Sequence, residues 1–162
     1  MEERSNTAHA DPLACARATP PVTAREVSEH LLHRTGEAML SGDFEAFMAC
    51  FQLPLEIETF TGRRVVETAD DLRQTSLAVH AYYQTKGVTE LFRVCIDASF
   101  RDPDTVVATH IARPLKGDVP VQEAYPVLSI LTRTDHGWKI AQSQYAVEGE
   151  PLLAKALMGN SA

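Results

Sequence analysis

From residue 88 to residue 146 the chain reads as four long β-prone segments in succession, and nothing else in it restricts the fold as much. They are Val88 to Phe100, Thr105 to Arg113, Val121 to Arg133 and Trp138 to Ala146, rich in β-branched and aromatic residues with period-two alternation. Asp102-Pro103-Asp104, Lys116-Gly117-Asp118 and Asp135-His136-Gly137 supply the turns between them. Connections that short join antiparallel neighbours, which predicts a meander. The third segment sets Val121, Tyr125, Val127 and Leu131 on one face but Leu128 and Ile130 on the other. Both faces of the sheet must then be covered, one of them by something beyond the helices. A homodimer through the back of the sheet is the simplest expectation.

The segments ahead of the meander read as helices. Thr23 and Glu26 form a T-x-x-E capping box, after which Leu31, Leu32, Thr35, Ala38 and Met39 fall on one stripe that ends at Gly42. Asp43 caps a short second helix with Phe44, Phe47, Met48 and Phe51 as its apolar face. Leu53 to Phe60 alternates as a half-buried strand, and Thr61-Gly62 turns it into Val65-Val66 as a small hairpin. A third helix opens at Thr68, carries Leu72, Thr75, Ser76, Val79 and Tyr83 on one face, and stops at Gly87. Beyond the meander, Pro151 sits in the first turn of a short helix with Leu152, Leu153, Ala156 and Leu157 apolar. Residues 1–22, closed by Pro20-Pro21, show no periodicity and predict a flexible tail. The expected organisation is that tail, one domain over 23–147, and a C-terminal helix and tail over 148–162, without internal repeats.

Composition narrows the function classes. A chain of 162 residues that is 44% hydrophobic and 23% charged has the make-up of one globular domain. Its net charge of −7 offers no general basic surface for phosphates, which argues against nucleic acid as a partner. Cys15, Cys50 and Cys95 are odd in number and widely spaced, so they suggest a reducing cytoplasm rather than a disulfide framework or a thiolate metal site. No stretch reaches the roughly 20 apolar residues of a membrane span, and the N-terminal residues lack an apolar core of the kind that directs export. The expectation is no membrane association.

The motifs SGDFEAFMACF at 41–51, ETADDLRQ at 67–74 and DHGWKIAQSQYA at 135–146, taken in this order of elements, resemble the nuclear-transport-factor-2-like superfamily over residues 24–147. The resemblance implies an α+β fold: a curved antiparallel sheet forming a cone, closed by three N-terminal helices, with an additional short C-terminal helix. Relatives include ketosteroid isomerases, SnoaL-like polyketide cyclases, dehydratases, epoxide hydrolases, plain binding domains and oligomerisation modules, so fold alone assigns none of these activities. At the positions where isomerases of this kind carry a basic aspartate, a tyrosine and a later-strand acid, this sequence has Thr59, Arg34 and Ser129. Threonine cannot take up the proton in question. A shift of one residue makes Glu58 the candidate base instead.

His110 lies mid-strand among Val106, Ala108 and Ala112, and Asp97 shares an alternation with Leu91, Arg93, Cys95 and Ser99. If both face the cavity they form an acid–base dyad like that of SnoaL-like cyclases and dehydratases. The plainer readings are a hydrogen-bonded core histidine and an ion pair of Asp97 with Arg93 or Arg113. Tyr83, His80, Tyr125, Tyr145 and Trp138 are pocket-lining candidates, although tyrosines often pack with only their hydroxyl at a rim, and Trp138 with Ile140 reads foremost as core. His30 and His33 share a helix face without supporting ligands, so no metal site is expected, and no motif calls for a cofactor. The first functional expectation is a cone that binds a small, moderately apolar molecule. The alternatives are a cyclase, dehydratase or isomerase using His110 with Asp97 or a tyrosine, and a non-enzymatic dimerisation module whose cavity is filled.

Overall fold

The computed structural model describes residues 22–159; the expected tail, with Cys15 and Pro20-Pro21, lies outside the described residues except for Val22. The elements in chain order are α1 (Ala24–Ser41), α2 (Phe44–Met48), β1 (Phe51–Thr59), β2 (Gly62–Val66), α3 (Ala69–Lys86), β3 (Glu90–Asp102), β4 (Thr105–Lys116), β5 (Val119–Pro120), β6 (Tyr125–Thr134), β7 (Gly137–Tyr145) and α4 (Pro151–Met158).

Local chemistry sets the helix ends. The Glu26 amide donates to Thr23 Oγ1 at 3.1 Å while the Thr23 amide donates to the Glu26 carboxylate at 3.3 Å, a reciprocal cap that satisfies two otherwise orphaned donors. Gly42 closes α1 in the left-handed region at φ 77°, and Asp43 immediately accepts from the Ala46 amide at 3.1 Å to start α2. Only a residue without Cβ makes that corner cheaply. On α3 the buried stripe contains hydroxyls as well as Leu72 and Val79. Ser76 donates to the Leu72 carbonyl at 2.8 Å and Thr75 to the Asp71 carbonyl at 3.0 Å, so both are buried without leaving an unpaired donor.

The sheet runs β2-β1-β7-β6-β4-β3, with β5 pairing β4. β3, β4, β6 and β7 form the expected antiparallel meander, and β1 and β2 the expected hairpin. One pair departs from an all-antiparallel sheet: β1 runs parallel to β7. The two are joined by most of the domain, so no tight turn dictates their relative direction. The third meander strand begins at Tyr125 rather than Val121, because Pro120 cannot continue a ladder and the chain makes only the two-residue β5 before turning. The short second helix ends at Met48; Phe51 instead opens β1, where its ring still packs 4.8 Å from that of Phe47.

Extra residues in the ladder bend the sheet. Ile96 in β3 and Ala141 in β7 have no partner opposite them, and such bulges raise local twist and curvature. The concave face so formed is covered by α1, which packs on β3, β4 and β7, and by α4, which packs on α3, β1 and β2. Leu31, Leu55, Val66, Val106, Val127 and Leu153 are fully buried between them. α4 is further tied down by Arg64, whose guanidinium pairs with Asp71 and donates to Thr75 Oγ1 at 2.9 Å and to the Leu157 carbonyl at 3.1 Å.

Removing this latch tests whether α4 is held from β2. Arg64→Met is expected to accelerate amide exchange in α4 about tenfold, the factor for roughly 1.4 kcal/mol of lost charge-assisted hydrogen bonding, with α1 unchanged. Unchanged exchange in α4 would assign its docking to Leu153 and Leu157 alone.

Candidate ligand-binding cavity

The concave face is not completely filled. A cavity of about 100 Å³ remains between α1, α3, α4 and the sheet, smaller than the roughly 150 Å³ apolar cavity known to take up benzene. Leu31, Met39, Phe51, Leu55, Ile57 and Val127 provide aliphatic and aromatic wall. A polar cluster interrupts the wall, formed by Arg93 on β3, His110 on β4, Tyr125 and Ser129 on β6, Ser143 and Tyr145 on β7, and Tyr83 on α3.

Arg93 dominates the electrostatics. One guanidinium nitrogen, Nη2, donates to the Leu32 carbonyl and to Thr35 Oγ1, the latter at 2.9 Å, and Thr35 passes its own proton to the Leu31 carbonyl at 2.8 Å. The Nε–H is buried and has no hydrogen-bond partner, and no carboxylate lies within ion-pair distance of Arg93 among the described residues. Burial pulls its pKa down, but a guanidinium remains protonated. Helix α1 makes room for it: a Cβ on Gly36 would stand 2.8 Å from Arg93 Nη2. A mid-helix glycine costs about 1 kcal/mol against alanine, and here the close approach of the guanidinium explains it.

His110 is 7% exposed, pairs across the ladder with Cys95 and Val127, and has no side-chain hydrogen bond among the described residues. Burial first, and the Arg93 charge second, pull its pKa down from 6.5 to about 3. Its imidazole is therefore neutral near pH 7. Tyr83 and Tyr125 stand hydroxyl to hydroxyl at 3.2 Å, and burial raises the pKa of both and of Tyr145, keeping all three phenols protonated. The cluster thus presents one fixed positive charge surrounded by neutral donors and acceptors.

The expected His110–Asp97 pair does not form. The unpaired Ile96 resets the alternation, so that Arg93 and Cys95 point inward but Asp97, two residues further on, pairs with Thr109 and is exposed on the outer face. For the same reason the anticipated Asp97–Arg93 ion pair is absent. His80 is not in the cavity lining; its Nδ1 lies 2.6 Å from the Met39 carbonyl and its ring meets Phe44 edge-on at 5.8 Å, pinning the α1–α2 corner. Trp138 is also outside the lining, half-buried with its ring 6.1 Å from Phe100. Glu58 faces Arg63 at 3.4 Å and Gln144 at 3.1 Å rather than the cavity. Of the three positions compared with isomerases, Ser129 lines the cavity, Thr59 bonds Thr61 at 2.8 Å, and Arg34 is exposed. His30 and His33 stand exposed on α1. The site residue that sequence reasoning took only for an ion-pair partner of Asp97 is Arg93, and its signal was an arginine in an inward alternation together with a glycine inside the helix above it.

The sign of the His110 shift fixes a pH dependence. Its folded pKa lies below its unfolded value, so the unfolded chain binds the extra proton, and the stability present above about pH 6.5 is lost as pH falls toward about 3. The contribution has a slope of at most about 1.4 kcal/mol per pH unit. Denaturation of the wild-type protein and of His110→Gln at pH 7, 6, 5 and 4 is expected to show the wild type losing stability faster. Parallel curves would place the imidazole in an environment wetter than the one described.

The fold has counterparts among solved structures. An NTF-2 like protein of unknown function from Shewanella oneidensis MR-1 matches at a TM-score of 0.60 and 14% identity, covering 75% of this chain and 98% of its own. A domain of unknown function with a cystatin-like fold from Nostoc punctiforme matches at 0.58 and 19%, covering 80% and 82%. A ketosteroid isomerase-like protein from Erwinia carotovora atroseptica matches at 0.56 and 18%, covering 75% and 94%. At such identities the likeness concerns the fold alone. No functionally curated protein matches the chain. Among the described residues no helix is long and apolar enough to cross a membrane. Residues 25–146 match the family described as NTF2-like protein (DUF6841), and with that share of the sequence accounted for, the chain belongs to this family.

Proposed function

We propose that this protein binds a compact, mostly apolar small molecule in the cavity beneath α1, α3 and α4. The observation that carries this reading is the unfilled volume itself, apolar on most of its wall and polar on one side, the usual make-up of a ligand site. A filled dimerisation module has no need of such a void. The His110–Asp97 form of the enzymatic reading loses its acid, since Asp97 is on the outer face. The size of the cavity argues for ligands no larger than one ring rather than steroids or extended polyketides. Buried, free Cys50 and Cys95 suit a reducing cytoplasm.

Thermal unfolding against a panel of single-ring and short branched compounds is the direct test. A true ligand at a hundredfold excess over its Kd stabilises the native state by about 2.7 kcal/mol. Ala112→Leu, which extends a side chain into the cavity, is expected to abolish the shift. A panel without any response would remove the ligand-binding reading.

The same proposal includes a second copy of the chain on the outer face of the sheet. Phe92, Val94 and Ile96 are 46%, 42% and 52% exposed there, and Val107, Ile111, Leu128 and Ile130 continue the apolar surface across β4 and β6. Arg113 stands exposed opposite Phe92 at one end of this patch, and Asp97 stands exposed opposite Thr109 further along it. A two-fold contact sets Arg113 against the partner's Asp97, so the face is complementary to itself in charge as well as hydrophobicity. Light scattering is expected to give a dimer mass that falls to the monomer in Val94→Arg; a concentration-independent monomer for the wild type would rule the assembly out.

A further inference from the structure

We infer that the ligand of this cavity is a carboxylate, and that Arg93 is the residue that selects it. The inference rests on the cavity being a ligand site and adds the chemical class of what enters it.

A buried guanidinium is ordinarily paired with an anion, because the desolvation of an unpaired charge is severe. Arg93 breaks that rule within the chain. Its Nη2 is spent on the neutral Leu32 carbonyl and Thr35 hydroxyl, its Nε–H has no partner, and no acidic side chain lines the cavity. Its charge is therefore uncompensated until something else brings the anion.

The arrangement also says which anion. With Nη2 held by α1 and Nε–H buried on that same edge, Nη1 is the guanidinium nitrogen without a hydrogen bond that is not sealed off, and a charged N–H donor of this kind suits a carboxylate oxygen. The accompanying groups are neutral: the Tyr83 and Tyr125 phenols stay protonated, and so does the Tyr145 phenol, while His110 stays uncharged. They can donate to carboxylate oxygens but add no further positive charge, so one guanidinium balances a singly charged head better than a phosphate dianion. Gly36 completes the argument, because the helix gives up its side chain at the one point where it would collide with the guanidinium. The remaining volume, walled by Leu55, Ile57 and Val127, admits an apolar body no larger than one ring.

Benzoate, its neutral isostere benzamide, and inorganic phosphate distinguish the outcomes when titrated against the full chain by calorimetry. Benzoate is expected to bind at least about tenfold more tightly than benzamide, the factor that ~1.4 kcal/mol of charge-assisted bonding gives. Arg93→Met should erase that preference by weakening benzoate far more than benzamide. Gly36→Ala, which keeps the arginine but pushes its guanidinium aside, provides a second variant should Arg93→Met fail to fold. In the wild-type protein the His110 ring, followed by NMR, should titrate at higher pH with benzoate present and not with benzamide. Equal binding of benzoate and benzamide overturns the carboxylate assignment and leaves the cavity's role as a binding site standing. Preference for phosphate overturns it as well. Absence of binding by every probe overturns both together.

Discussion

The concave face of the meander has to be kept dry, and the remainder of the molecule is arranged around that requirement. Each aliphatic side chain transferred from water into this interior contributes about 1.5–3 kcal/mol, and the contributors come from every layer: Leu31 on α1, Leu72 and Val79 on α3, Leu153 on α4, and Leu55, Val106 and Val127 on the strands. Straight helices cannot follow a bent sheet over its whole surface. Bulges at Ile96 and Ala141 increase the bend, and the volume that the helices do not reach is the cavity. Curvature and void thus share a cause.

Within that dry interior, charge has consequences it would lack at the surface. Arg93 keeps its proton, and its field adds to burial in keeping the neighbouring imidazole neutral. His110 in the empty cavity is accordingly a poor proton acceptor, whatever its position. An anion beside Arg93 would cancel part of that second contribution and raise the ring's pKa, while burial, the larger cause, would still hold it low. This links occupancy and protonation without any movement of the backbone.

The parts of the fold legible in the sequence are those governed by neighbouring residues. Thr23 with Glu26, Gly42 with Asp43, Thr68 and Gly87 mark helix boundaries through hydrogen bonds and dihedrals that each segment carries itself. The order of the meander follows from its short turns, and the polar stripe of α3 from simple periodicity. Tertiary pairing was not legible. Nothing near Ile96 announces a bulge, yet this single residue sends Asp97 outward and dissolves the anticipated dyad. The parallel contact of β1 with β7 and the seat of His80 beneath Met39 are likewise decided by residues distant in the chain. Arg93 was visible but misread, because an arginine two turns of alternation from an aspartate suggests a partner that the bulge then removes.

Gly36 offers a means of sorting the chain's relatives. At this position a Cβ would stand 2.8 Å from the guanidinium, so a homologue with alanine or anything larger there must swing the guanidinium aside, seat a different residue at the site of Arg93 or shift the helix outward. The two columns, far apart in sequence, form a single two-letter code for whether the hollow carries charge. Glycine paired with arginine spells a charged interior; a Cβ paired with an aliphatic residue spells an oily one. Reading those two letters sorts the family by the polarity of its contents.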